Sequence, residues 1–443
     1  MITTLVGKTF LKAYNQKYNK DYSAKEFFEK EYFELFFNHS KYMQWVTNSP
    51  FVQMKKGQKP HLLSYEERLE KLDNLHSKID DETPDASFAI GFPASEDKDF
   101  ASTSGLVSDI EIDTNNEEVY LSWIGGGLGI GVAGGYNILI NDESITLETF
   151  EGWKYYRRYL NDPVLDKLRG NQINSWNGQW LTYKLGSKYN QGFTFLDLEQ
   201  IQVFKVDKYL AEVNTINWSN LYFSLSNKFP EKTFNAYIYS LGQTNKTIGF
   251  IPIYLKEGKK LKDVFKKLYQ TESPFEMKEF QSLFGMHIKR ACELGNIGLH
   301  ALRPESLKKY MEENRNISFS KEEEKLKEQI FIYQSYKTWL TAMISKNKEE
   351  LLDYTSDLAK LILRYRSSAK GTTGTNFINK ELFAAKSKKA FIESLTDMIP
   401  VLDNNDLIEL KKLKDEVHLM TNEEFGYFST LLKFDYAFEE KQS

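Results

Sequence analysis

Glu118-Val119-Tyr120-Leu121-Ser122-Trp123-Ile124, followed by Gly125-Gly126-Gly127-Leu128-Gly129-Ile130-Gly131-Val132-Ala133-Gly134-Gly135 and then Tyr136-Asn137-Ile138-Leu139-Ile140, is the stretch on which the fold turns. Both flanks are short apolar runs rich in β-branched and aromatic residues, which is strand-like composition. The glycines between them allow backbone angles that other residues avoid. The stretch therefore predicts two antiparallel strands around a glycine-rich connection. Gly129, Gly131 and Gly134 also form a G-x-G-x-x-G, the spacing that cradles a dinucleotide pyrophosphate when it links a strand to a helix. Here a strand-like run follows it instead, and no Gly-Lys-Ser/Thr loop is present, so no cofactor is expected.

Outward from this stretch, residues 87–92 and 106–112 read as further strands, with a polar turn at 113–117. Downstream, Trp176-Asn177-Gly178-Gln179-Trp180 reads as a turn opening a strand at Leu181-Thr182-Tyr183, and a second β region is expected over 193–206. The clearest hairpin joins 234–241 to 247–255. Before residue 81 the pattern is helical, with capping boxes from Ser23 to Glu26 and from Ser64 to Glu67. Beyond residue 256 helical spacing returns at 261–269, 277–294, 304–311, 351–366, 377–399 and 407–420, with a long helix entered at Ser320, boxed with Glu323, and a last box from Thr421 to Glu424. The expected organisation is an α+β chain: a helical N-terminal region (1–80), a mixed, mainly antiparallel β domain (81–256) and a C-terminal helical bundle (257–443).

The 443 residues carry 58 Lys and Arg against 62 Asp and Glu, so no field attracts polyanions over the whole surface, and any nucleic-acid site must be local. One cysteine, Cys292, excludes an intrachain disulfide and fits a reducing, cytoplasmic compartment. The start has lysines at positions 8, 12 and 17, unlike a secretion signal, and no run reads as a membrane span. Six histidines without helical i, i+4 pairing give no metal site. Two local patches are basic. Between residues 356 and 390, Lys360, Arg364, Arg366, Lys370, Lys380, Lys386, Lys388 and Lys389 face only Asp357 and Glu381 in sequence, around a Gly/Thr loop at 371–376. After the hairpin come Lys256, Lys259, Lys260, Lys262, Lys266 and Lys267. Either patch fits phosphate contact or a solvated helix face. Trp123, Trp153, Trp176 and Trp180 are candidate stacking platforms or core. Asp85, Glu96 and Lys98 have the residue types of a Mg²⁺-dependent nuclease, with Asp109, Glu111 and Asp113 as a second acidic set.

The order of Ser87-Phe88-Ala89-Ile90-Gly91-Phe92, Ala101-Ser102-Thr103-Ser104-Gly105 and Glu118-Val119-Tyr120-Leu121-Ser122-Trp123-Ile124-Gly125 resembles the DNA-binding region that precedes the GTPase in McrB-like proteins of modification-dependent restriction. The resemblance implies DNA recognition, with Trp123 and the 102–105 segment near the DNA. The family's nucleotide-binding loop is absent, so GTP-driven translocation is not implied. Patch and resemblance together favour a DNA-recognition subunit of a prokaryotic antiviral, restriction-like system, with catalysis on a protein partner. The alternatives are a large subunit of a CRISPR effector complex, by architectural analogy, and the metal-dependent nuclease.

Overall fold

The computed structural model describes residues 1–46, 49–81, 114–240, 247–269, 280–313, 315, 317–344, 351–369 and 372–442. The chain is mostly helical, with a small antiparallel sheet in its middle and helices at both ends. It forms two compact units, Met1–Lys256 with Ile288–Gly298, and Glu257–His287 with Leu299–Ser443.

The first unit opens with α1 (Ile2–Tyr18). Ser23 and Glu26 close the expected capping box of α2 (Ala24–Phe27), which runs through a π turn, Phe28–Tyr32, into α3 (Phe33–Phe36). At α4 (Tyr65–Asp81), Ser64 Oγ accepts the Glu67 N–H at 3.2 Å while the Glu67 carboxylate accepts the Ser64 N–H at 2.8 Å.

The glycine-rich stretch departs from its reading in a specific way. Residues 118–124 are helix, part of α5 (Asn116–Gly127), capped by Asn115, which accepts the Glu118 N–H at 3.0 Å. Every residue from Val119 to Gly127 is buried, so the helix has no polar face and lacks the 3.6-residue period that would have distinguished it from a buried strand. In the back half the strand expected at 136–140 is present as β2 (Tyr136–Ile140), but its hairpin partner is β1 (Ile130–Val132) within the glycine run, the two turning on Gly134 and Gly135 at φ of +91° and +75°. Gly125 has a packing role. A Cβ there would lie 1.9 Å from the Thr3 carbonyl oxygen, and one on Gly7 would lie 2.0 Å from that of Leu121. Backbone contact between α1 and α5 is thus possible only with both glycines, and a 2.8 Å Thr3–Ser122 hydroxyl bond closes the crossing.

Helices outnumber strands in the rest of the middle, which corrects the mainly β expectation. After α6 (Glu143–Asn161), α7 (Ile173–Leu185) absorbs both the Trp176–Trp180 turn and the strand expected at 181–183. It too is buried nearly all round, Trp176 to Leu181 without interruption, so no polar stripe marks it as a helix. The 193–206 region is α8 (Phe195–Gln200) followed by β3 (Phe204–Val206), which pairs with β4 (Ala211–Val213). Beyond α9 (Trp218–Lys228), the expected long hairpin is present as β5 (Thr233–Ser240) and β6 (Thr247–Tyr254). The sheet order is β1-β2-β5-β6, antiparallel throughout.

From β6 the chain enters α10 (Leu255–Tyr269) directly. The helix expected over 277–294 is interrupted: β7 (Phe284–Met286) pairs with β8 (Leu302–Pro304), and α11 is confined to Ile288–Leu294. α12 (Leu307–Met311) and α13 (Glu323–Ile344) follow, and Ser320 Oγ accepts from the Glu322 N–H rather than from Glu323. α14 (Leu351–Ser368), the short α15 (Thr373–Phe377), α16 (Lys388–Met398), α17 (Asn404–Leu419) and α18 (Asn422–Gln442) complete the second unit. The Thr421–Glu424 box forms as expected. The core here is aliphatic with a few rings: Leu358, Ile362, Leu395, Leu413, Val417, Phe391 and Phe428. Among the described residues, no helix is long and apolar enough to cross a membrane.

Candidate nucleic-acid interface

The β5–β6 hairpin presents two different faces. Phe234, Ala236 and Ile238 on β5 and Ile251 and Ile253 on β6 point inward and are buried. The period of two places Tyr237 and Tyr239 of β5, and Phe250 and Tyr254 of β6, on the opposite face. Register pairs Tyr237 with Phe250, whose ring centroids are 5.2 Å apart, and Tyr239 continues the row 5.9 Å from Tyr237. Tyr239 is anchored: Asn137 Nδ2 approaches its hydroxyl at 3.5 Å, and burial pushes the phenol up to about 12. Phe250 is 62 % exposed and Tyr254 38 %. A bulge lies between Ile238 and Tyr239, opposite Gly249 at φ +94°, a conformation that re-aims the next side chain on β6, Phe250. The result is an aromatic row on the sheet, fixed at one end and open to solvent at the other.

The residues singled out from sequence are placed differently. Trp123, Trp153, Trp176 and Trp180 are all buried. Trp123, expected near DNA, lies on α5 with its ring edge-on to Phe28, Phe37 and Phe51 at centroid distances of 5.6, 5.8 and 5.9 Å. A tryptophan enclosed in this way offers no face to a base. Residues 87–92 and 101–105 of the McrB-like resemblance lie outside the described residues, as do Asp85, Glu96, Lys98, Asp109, Glu111, Asp113 and Lys370. Among the described residues, no group of three His, Cys, Asp or Glu could hold a metal ion.

In the C-terminal basic patch both arginines are matched by acids distant in sequence, and two lysines by acids of their own helices. Arg364 forks onto Asp406, and Arg366 pairs with Glu440 and with the Tyr436 hydroxyl at 3.0 Å. Lys360 lies 3.7 Å from Asp357, and Lys389 3.7 Å from Glu393. Lys388 donates to the Met420 and His418 carbonyls at 2.6 and 3.4 Å, capping the end of α17. Lys386 is exposed. In the other patch Lys259 is exposed, Lys260 donates to the Ala342 carbonyl at 3.3 Å, and Lys262 is buried, which pushes its ammonium down to about 8. Counting charge along the sequence missed Asp406 and Glu440 because they arrive from other helices. The aromatic row was missed for the opposite reason: Tyr237, Phe250 and Tyr254 are ordinary strand residues until the register shows that they share the solvent face.

No known family model, curated protein or solved structure matches this chain.

Proposed function

We propose that the chain recognises nucleic acid, stacking unpaired bases on the outer face of the β5–β6 hairpin at Tyr237, Phe250 and Tyr254. The observation that carries this reading is the exposure of Phe250 and Tyr254 on the outer face of the hairpin, with Tyr237 packed beside Phe250, because an exposed ring is a surface that a planar base can cover. Base stacking on aromatics tolerates any sequence, and Lys256, 79 % exposed in the first turn of α10 with Glu231 at 3.8 Å, is the cation that follows the row in sequence. The wider setting, DNA recognition within a prokaryotic restriction-like system whose chemistry belongs to a partner, comes from the resemblance of the 87–125 region.

The test is binding of labelled single-stranded DNA, duplex DNA and single-stranded RNA across a salt series. Phe250→Ala is expected to weaken single-strand binding by about 1–3 kcal/mol, the usual worth of one stacked base, without changing the unfolding midpoint. Lys389→Ala, already paired with Glu393, is expected to leave it nearly unchanged. Equal affinity of wild type and Phe250→Ala would refute the reading, and preference for RNA would move the setting towards an RNA-guided complex.

A further inference from the structure

The N-terminal unit holds a group of cations without carboxylate partners. The chain leaves α3 at Phe37 and is pinned through residue 43: Met43 N–H donates to the Phe36 carbonyl at 3.0 Å, Asn171 N–H to that of Tyr42 at 2.5 Å, and Ile173 N–H to that of Met43 at 3.3 Å. Arg157 of α6, only 7 % exposed, reaches into this loop. Its Nε and Nη2 donate to the Leu35 carbonyl and its Nη1 to the Lys41 carbonyl. All of these acceptors are neutral, so a full positive charge is buried on backbone dipoles alone.

Arg68 of α4 is a second guanidinium within electrostatic reach of Arg157, His39 and Tyr42. Its Nε is buried with no acceptor, and it forms no ion pair among the described residues. Tyr42 is 4 % exposed, and its hydroxyl is likewise buried without a partner. Lys41 stands beside them, its ammonium donating to the Asp166 carbonyl at 2.6 Å. The carboxylate of Asp166 acts on Lys41, but Asp166 is exposed and makes no ion pair with either arginine. His39, its Nδ1 accepting the Lys41 N–H at 3.0 Å, is pushed down to about 4 by burial and by Arg157 and Arg68. The imidazole thus stays neutral, adding no further charge.

Two like charges and two unused buried donors in one place are costly when empty and favourable around an anion. We propose that Arg68 and Tyr42, backed by the charges of Arg157 and Lys41, bind a phosphate group. The guanidinium supplies forked N–H donors matched to phosphate oxygens and the phenol a third donor. The phosphate is either free or the terminal group of a nucleotide. This site is independent of the hairpin.

The experiment uses the full chain at constant ionic strength, with inorganic phosphate, a 5′-phosphorylated oligonucleotide and its 5′-hydroxyl counterpart as probes. Phosphate is expected to raise the unfolding midpoint saturably, and Arg68→Gln and Tyr42→Phe to weaken it as a ligand, the first by about tenfold or more. Without phosphate both variants are expected to be as stable as wild type or more so, since neither removes a bond made within the protein. A residue supporting the fold would give the opposite result. Phe250→Ala is expected to keep the phosphate response, so this site and the aromatic row fail separately. Arg68-dependent preference for the 5′-phosphorylated strand would identify a nucleotide end as the source, and equal binding of the two strands with a response to inorganic phosphate would identify free phosphate. No saturable response to either phosphate probe, unchanged phosphate affinity in Arg68→Gln, or loss of stability in that variant without phosphate would overturn the proposal.

Discussion

At the α1–α5 crossing of the N-terminal unit helices meet backbone to backbone through glycine; around Leu358, Leu395 and Leu413 of the C-terminal unit aliphatic side chains hold them apart and ion pairs tie them. Gly7 and Gly125 let α1 and α5 touch, and Gly152 accepts the Trp180 indole so closely that a Cβ would lie 2.4 Å from the ring. Around Leu358, Leu395 and Leu413 the packing instead consists of flexible side chains, with Arg364–Asp406 and Arg366–Glu440 at the edges. The charges follow the same division. Arginines of the helical bundle carry their own acids, whereas Arg68 and Arg157 of the first unit do not. Local charge density therefore points to the unit in which charge is already compensated, and the unmatched cations lie where the sequence looks unremarkably mixed.

The contrast breaks most severely at the glycine crossing. Gly125→Val must separate α1 from α5, and is expected to cost about 4 kcal/mol or more, or to prevent folding, as read by urea unfolding. If it costs less than about 1 kcal/mol, backbone contact is not what organises the first unit. A smaller loss is expected from the bundle's most enclosed ion pair. Lys337 lies 3.1 Å from Asp435, which is 1 % exposed and also accepts from the Tyr333 hydroxyl. Lys337→Met strands that carboxylate and is expected to cost about 3 kcal/mol, and the double variant Lys337→Met, Asp435→Asn less than the single one. The smallest effect is a gain. Gly426, within α18, has no atom within 4 Å of a Cβ position, so Gly426→Ala is expected to stabilise by up to about 1 kcal/mol. Gly125 and Gly426 would then have opposite meanings, fixed by what surrounds the missing methyl.

Legibility followed the same physics. Capping boxes at Ser23, Ser64 and Thr421 were readable because a cap is local chemistry between residues three apart. The β5–β6 hairpin was readable because one face is wet, so its residues alternate. α5 and α7 were not, since helices surrounded by protein lose the polar stripe that marks a helix, and their Val, Ile and Trp then mimic strand. Position 123 illustrates the cost for function: an aromatic in an apparent strand beside a glycine run reads as a ligand platform, while in a buried helix it is core. Positions 237 and 250 are thirteen residues apart in sequence and become neighbours only through register. The Arg68 group is more dispersed still, gathered from α4, α6 and a loop.

The sheet of the first unit is completed late in chain order. Ile297 N–H donates to the Pro252 carbonyl and Tyr254 N–H to that of Ile297, so Ile297 of the 288–298 segment bridges the β6 edge at Ile253 after the chain has already departed into α10. During synthesis at roughly 5–20 residues per second, the interval between emergence of residue 256 and of residue 298 is a few seconds. For that time β6 is an uncapped edge, and a fragment ending at Lys256 would keep it so permanently. The shortest fragment with a closed first unit therefore extends to Gly298, and a nascent chain paused before that point is the form most prone to pairing with a neighbour.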